Sequence, residues 1–260
     1  MKNTHQNIPI VILSGGKGER FVSKENLPKQ LAKVSSHPII MEIILYYSKN
    51  SFNFFILPLG YKSNFFIKFF NDNKNIKKYN LNIIKNNKIS INESKINILL
   101  FDAGCKANKL MRIKKSIKYL DSKNSLFGVC YGDIFANISF KKELLHFQKK
   151  NIEAIAVGYN EHSPFGHVKV KNNLVTNFYE KPKLSDPINI GFYFFNKKIF
   201  LNKYNKPGED LETSFLPKLS KMKKLGCYIH NGYHFTVNSQ KDLIEVKQIY
   251  KKNKNFFKNL

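Results

Sequence analysis

Short apolar runs recur along the first half of the chain, and each ends on glycine or aspartate. Residues 8–13 give way to Gly15 and Gly16, 53–59 close on Gly60-Tyr61-Lys62, 96–101 on Asp102, and 125–131 on Gly132-Asp133. Runs of this length, rich in Ile, Leu, Val and Phe and bounded by turn residues, predict buried strands. Between them, 38–47, 63–70 and 112–120 are expected to be helical. The Asn- and Lys-rich stretch 71–92 has weak periodicity and is expected to form surface loops and an edge strand. Strands alternating with helices predict an α/β fold, a doubly wound, mostly parallel, Rossmann-like mixed sheet. Such a sheet binds its ligand beyond the carboxyl ends of its strands, where the Gly15 turn, Asp102 and Asp133 all fall.

The pattern changes at Glu153. Residues 153–159, 166–170, 177–181 and 188–195 read as strands, with Lys171-Asn172-Asn173 as a hairpin turn. Residues 211–222 read as mostly helical, 226–229 as extended and 239–251 as a closing helix. With no internal repeat and no linker, residues 1–260 are taken as a single domain in which the later strands complete the same sheet and a small β lid over it.

Composition narrows the range of functions. A hydrophobic content of 42%, with 23 Phe and 13 Tyr, argues against a disordered chain. No apolar stretch approaches the roughly 18 residues of a membrane span, and residues 1–6 are polar, so a cytoplasmic protein without a membrane partner is expected. Cys105, Cys130 and Cys227 show neither a zinc spacing nor a disulfide framework and are expected to be buried free thiols. A net charge of +26 would ordinarily suggest nucleic acid. Only Arg20 and Arg112 among the 44 basic residues are arginine, however, and the lysines are scattered along the whole chain. That distribution points to compositional drift or attraction of anionic substrates, with no nucleic-acid partner.

Candidate chemistry concentrates in Gly15-Gly16-Lys17-Gly18-Glu19-Arg20, followed by Pro28-Lys29-Gln30. A glycine-rich turn after a strand lets backbone N–H groups approach a nucleotide, and Arg20 and Lys29 supply positive charge for phosphates. It is not a Walker A loop, and Phe21 stands where a dinucleotide fingerprint needs its third glycine. Tyr131-Gly132-Asp133 sets a carboxylate past a strand, where it can reach a metal or simply serve a turn. Glu180-Lys181-Pro182 taken alone is an exposed ion pair before a rigid turn. Asn189-Ile190-Gly191 offers an amide and a close-approach glycine.

Gly-Gly-x-Gly-x-Arg with Pro-Lys shortly after it resembles the signature of the sugar nucleotidyltransferases. The succession Gly-Tyr-Lys, Tyr-Gly-Asp, Phe-Gly, Glu-Lys-Pro and Asn-x-Gly-Phe extends the resemblance, closest to the glucose-1-phosphate cytidylyltransferases, over nearly the whole chain. The resemblance implies that Gly15 and Gly16 lie against base and ribose, with Ser14, Gly18, Arg112 and Gly132 also on the nucleotide side. It implies that Arg20 and Lys29 hold the phosphates and that Arg20, Lys29 and Asp133 carry catalysis. Glu180 would bind sugar hydroxyls and Lys181 the sugar phosphate, with Asn189 and Gly191 lining the sugar pocket. Asp133 and Asn238 would hold Mg²⁺. CTP and a sugar 1-phosphate are the implied partners, in a homo-oligomer.

The sequence departs from that family at three places. Leu27 replaces the first lysine of Lys-Pro-Lys, Leu110-Met111 replaces a glycine pair before the arginine, and Asn238 stands where an aspartate is expected. The implied reaction is in-line attack of the acceptor phosphate on the α-phosphorus, releasing pyrophosphate. Another nucleotide or acceptor, or a catalytically reduced nucleotide- or sugar-binding regulator, are the alternatives these departures leave open.

Overall fold

The computed structural model describes residues 8–18, 21, 26–84, 89–148, 152–201 and 208–252. The strands β1 (Ile10–Leu13), β2 (Phe54–Leu59), β3 (Leu81–Ile84), β4 (Ile96–Asp102) and β5 (Leu126–Tyr131) come first, followed by β6 (Ile134–Ala136) and β7 (Ala154–Tyr159). Then come β8 (His167–Lys171), β9 (Leu174–Tyr179), β10 (Ile188–Asn196), β11 (Leu225–His230) and β12 (His234–Thr236). The helices are α1 (Ile39–Lys49), α2 (Ser63–Asn71), α3 (Asn73–Tyr79), α4 (Lys109–Ser116), α5 (Phe140–Gln148), α6 (Lys198–Leu201), α7 (Leu216–Lys221) and α8 (Gln240–Lys252).

Eight strands form one sheet in the order β11-β7-β10-β5-β1-β2-β4-β3. All pair in parallel except β10, which runs antiparallel to both β5 and β7. The alternation of side chains along each strand feeds two cores. Ile10 and Ile12 of β1 pack on the side of α1, α2, α5 and α8, while Val11 and Leu13 pack on the side of α4 and α7. Helices on both faces explain why β1 and β2 are buried at every position and why their sequences are continuous apolar runs. The strands β7, β10 and β11 complete the sheet as expected, whereas β8 and β9 form a separate hairpin and β12 pairs with β6.

Some elements differ from the expectation. The stretch after Asn71 holds α3 as well as the edge strand β3. Asp72 caps α3 by accepting from the Lys74 amide at 2.8 Å, and Asn80, in the left-handed region at φ 51°, ends it. Helix α4 starts three residues earlier than expected, because the Asn108 side chain caps it through the Met111 amide at 2.9 Å. Strand β9 begins at Leu174, since Asn172 and Asn173 both take positive φ and close the turn tightly. Within 211–222, a π-helical turn over Leu211–Phe215 precedes α7. Of the cysteines, Cys130 is buried, but Cys105 and Cys227 are exposed, because their chain positions lie at a loop and on the edge strand β11.

Candidate active site

A cleft of about 620 Å³ opens where β1 and β5 end. The sheet extends from β1 toward β2 on one side and toward β5 on the other, and such a switch point leaves a crevice between diverging connections. Gly15, Gly16, Lys17 and Gly18 line it together with Lys29, Asp133, Ala107, Asn108 and Lys109.

The glycine turn is held by an arginine that also lines the cleft. Arg112, 3% exposed, donates from Nη2 to the Gly15 carbonyl at 2.9 Å and to the Gly104 carbonyl at 3.1 Å. Its Nη1 donates to the carbonyls of Leu59 at 2.8 Å and Pro58 at 3.2 Å. The guanidinium thus ties together the ends of β1, β2 and β4. A Cβ on Gly15 would lie 1.8 Å from Arg112 Nη1, so this position admits only glycine while the arginine stays in place. Burial pulls the guanidinium below its ordinary value, and Asp102 and Cys105 act in the opposite direction. It remains charged, because arginine does not deprotonate in proteins. Ser14 is buried beneath the turn, donating to the Ile12 carbonyl at 3.3 Å, and the backbone of Gly132 crosses close above it. Neither Ser14 nor Gly132 lines the cleft. Arg20 lies outside the described residues.

Pro28 starts a single 3-10 turn over Lys29–Leu31 that turns Lys29 inward. Its ammonium forms an ion pair with the Asp133 carboxylate, and both side chains are mostly shielded from solvent. Strand β12 pairs with β6, placing Thr236 beside Ile134, and the Val237 amide then donates to the Asp133 carbonyl at 2.9 Å. Asn238 therefore reaches the same cleft as Asp133 from a part of the chain more than a hundred residues away. The Asp242 carboxylate fixes this approach by accepting from the amides of Asn238 and Ser239 at 2.8 and 2.9 Å, capping α8.

The acceptor-side candidates are arranged differently. Glu180 and Lys181 are exposed at the base of the β8–β9 hairpin, Lys181 in the left-handed region at φ 46°, and neither lines the cleft. Asn189 and Gly191 begin β10 and connect to the cleft through Tyr131. Gly191, at φ 72°, lies under the Tyr131 ring, which a Cβ would meet at 2.5 Å. Asn189 donates from Nδ2 to the Tyr193 hydroxyl at 2.5 Å, and that hydroxyl lies 3.1 Å from the Tyr131 hydroxyl.

This chain of hydrogen bonds ends on residues that sequence reasoning missed. The Tyr131 hydroxyl donates to the Glu212 carboxylate, which also pairs with Lys109, and the Lys109 ammonium sits 4.7 Å above the Tyr131 ring. Burial, with Tyr193 and Glu212 nearby, holds the Tyr131 phenol far above its ordinary value, so it stays a donor. Burial likewise pushes Tyr193 up to about 12. Gln30 and Asp210 also line the cleft. Gln30 adjoins the Pro-Lys pair, whereas nothing in the sequence marks Asp210 or Glu212.

The Nucleotidyl transferase family profile matches residues 10–253. The chain is 29% identical to the "Probable glucose-1-phosphate cytidylyltransferase" of Bacillus subtilis (strain 168), over 95% of this chain and 98% of that protein. It is 24% identical to the glucose-1-phosphate cytidylyltransferase of Salmonella typhimurium, over 94% and 96%. A D-glycero-alpha-D-manno-heptose 1-phosphate guanylyltransferase of Aneurinibacillus thermoaerophilus is 27% identical over 89% and 94%. Among solved structures, HddC from Yersinia pseudotuberculosis complexed with GMP-PN shares the fold with a TM-score of 0.63, at 20% identity over 94% and 99% of the two chains. The mixed sheet with its one reversed strand, the cleft at the β1–β5 switch point and a match spanning almost every residue place this chain in the nucleotidyl transferase family.

Proposed function

We propose that the protein transfers CMP from CTP to a sugar 1-phosphate, releasing pyrophosphate and forming a nucleotide sugar. The observation that carries this reading is the meeting of the glycine turn, Lys29, Asp133 and Asn238 in one cleft. Two relatives that align over nearly their whole length carry the cytidylyltransferase name, which favours CTP over GTP.

The chemical problem is charge, since two polyanions must meet. The attacking group needs no general base, because a phosphate monoester with a second pKa near 6 is already ionised at neutral pH. Lys29 balances Asp133 within the cleft, and an entering phosphate competes for the same ammonium. Charge developing on the transferred phosphoryl oxygens is then met by a cation held in place beforehand. Arg112 acts indirectly by fixing the turn that Gly15 and Gly16 present to the nucleotide.

A carboxylate and an amide oxygen facing one cleft fit the hard-oxygen donor set that Mg²⁺ takes together with substrate phosphates. Asp133 and Asn238 would hold the ion, which supplies positive charge to the triphosphate when bound. An amide in place of a carboxylate weakens such a site without abolishing it. Asn238→Asp therefore lowers the Mg²⁺ concentration giving half-maximal rate several-fold, with the rate at saturating Mg²⁺ unchanged. A loss of rate at saturation would show that Asn238 does more than replace an aspartate.

The deciding experiment is pyrophosphate release with Mg²⁺, each nucleoside triphosphate being tested against a panel of sugar 1-phosphates. Release that requires CTP and one sugar phosphate is the expected result. Release with GTP alone overturns the choice of base, and silence with CTP still bound overturns the sugar phosphate as acceptor.

A further inference from the structure

Nothing in the fold calls for the Lys109–Glu212 pair. Lys109 is the first residue of α4, where a cation opposes the helix dipole, and no acidic residue in that turn offsets it. Its side chain is 45% exposed, and an ion pair so open to water adds little to stability. Three hydrogen bonds nevertheless fix its surroundings. Glu212 also accepts from the Tyr131 hydroxyl, the Glu212 amide donates to the Asp210 carboxylate at 3.1 Å, and Asn108 Nδ2 donates to the Glu209 carbonyl at 2.9 Å. The start of α4 is thus tied to the turn that carries Glu212, and Lys109, Tyr131 and Asp210 all line the cleft. An ammonium carries three donors, so one tethered to Glu212 can still donate to an incoming ligand.

We infer that Lys109, positioned by Glu212 and Tyr131, donates to ring hydroxyls of the acceptor, and that the charge of this corner rejects acceptors bearing a second anionic group. The inference rests on the sugar-phosphate reading above and names the residues that select within it. Two observations assign the ligand. The first is charge. Among the described lining residues, Lys17, Lys29 and Arg112 outnumber Asp133 by the glycine turn, so phosphates are drawn there. At Lys109 the balance reverses, since Glu212 pairs with the ammonium and Asp210 lies within electrostatic reach of it. Such a corner suits a neutral, hydroxyl-bearing group and repels a further anion. The second observation is connectivity. From Tyr131 the hydrogen bonds run through the Tyr193 hydroxyl to Asn189, and the Tyr131 ring covers Gly191, so Lys109 is linked to the start of β10. Glu180, the other candidate for sugar hydroxyls, lies outside the cleft. Glu212 does not line the cleft either and acts through Lys109, which makes it a positioning residue.

The test compares a hexose 1-phosphate with the uronic acid 1-phosphate of the same configuration and with the hexose 1,6-bisphosphate. Binding is measured by calorimetry with the α,β-methylene analogue of CTP present, which blocks transfer, and turnover as pyrophosphate release with CTP. The wild type is expected to bind the neutral sugar at least about tenfold more tightly than either of the others. Glu212→Gln keeps an oxygen for the Tyr131 hydroxyl while removing one negative charge, and is expected to narrow that gap about tenfold. Lys109→Met is expected to weaken binding of the neutral sugar about tenfold, the weight of one hydrogen bond to a charged group, with the KM for CTP unchanged. Equal binding of the three acceptors, or binding of none, overturns the inference, as does a gap that Glu212→Gln leaves unaltered. A loss in Lys109→Met confined to CTP overturns it too, because Lys109 then serves the nucleotide. Discrimination in binding without pyrophosphate release would sink the proposed reaction and leave this inference standing.

Discussion

The cleft and the β8–β9 hairpin are built on opposite plans. In the cleft, the backbone of the glycine turn is tied to a buried arginine, and Lys29 and Asp133 neutralise each other largely out of solvent. At the hairpin, Glu180 and Lys181 stand exposed, outside the cleft, at the foot of two strands that the main sheet does not cover. Under the proposed function the cleft must place a reacting phosphorus, and the sheet fixes it, since small displacements of reacting atoms cost large factors in rate. The hairpin, which the same reading assigns to the second substrate, is left open. Substitutions at the glycine turn, its arginine and Lys29 should therefore act on turnover or on folding, and substitutions at the hairpin on acceptor affinity.

The largest effect expected is that of Lys29→Ala. Losing the cation that faces the phosphates lowers kcat by about 10² or more, measured as initial pyrophosphate release at saturating substrates. Near-normal turnover would break the comparison at its centre. Next is Arg112→Met, which takes the guanidinium away from the carbonyls of Gly15, Leu59, Pro58 and Gly104, leaving Gly15, Leu59 and Gly104 with only the amides of Tyr61, Ala103 and Ala107. A cost of about 2–4 kcal/mol follows, read as a drop in thermal midpoint of several degrees. On the open side, Glu180→Ala is expected to raise the acceptor KM roughly tenfold, the weight of one hydrogen bond to a charged group, with no change in thermal midpoint.

The smallest effect, counted over a single pH unit, comes from the buried half and sharpens the contrast. Glu143 on α5 is fully buried, neither carboxyl oxygen meets a hydrogen-bond partner among the described residues, and burial raises its pKa well above the ordinary value. The folded state then keeps a proton that the unfolded state releases above about pH 4.5. Stability contributed by this group is highest below that pH and declines as pH rises, by at most about 1.4 kcal/mol per pH unit. In Glu143→Gln this decline disappears, which denaturant unfolding at several pH values would measure.

The sheet was legible because its strands are covered on both faces and so had to be apolar throughout. Ile10, Phe55, Leu99 and Val129 could have no other environment. Helix α3 was not legible, since its seven residues contain five polar Asn and Lys before the first buried one, Tyr79, and only its caps define it. The short pair β6 and β12 was missed for a related reason, each being three residues long and held by a partner about a hundred positions away. At the site, Gly15, Lys29 and Asp133 could be read from local motifs. The Tyr131–Glu212–Lys109 group could not, because Glu212 lies 81 and 103 positions from its partners and no local pattern encodes their meeting.

The reversal of β10 has a consequence for how such a protein can change. Because β10 runs against β7, Ile188 stands directly opposite Tyr159 across the ladder. Everything between them, the hairpin with Glu180 and Lys181 included, leaves the sheet and returns to it at adjacent points. The segment is a cassette. It can be lengthened, shortened or exchanged with no strand of the main sheet moved, so under the proposed function a lineage can revise what it accepts while the glycine turn, Lys29 and Asp133 are inherited intact.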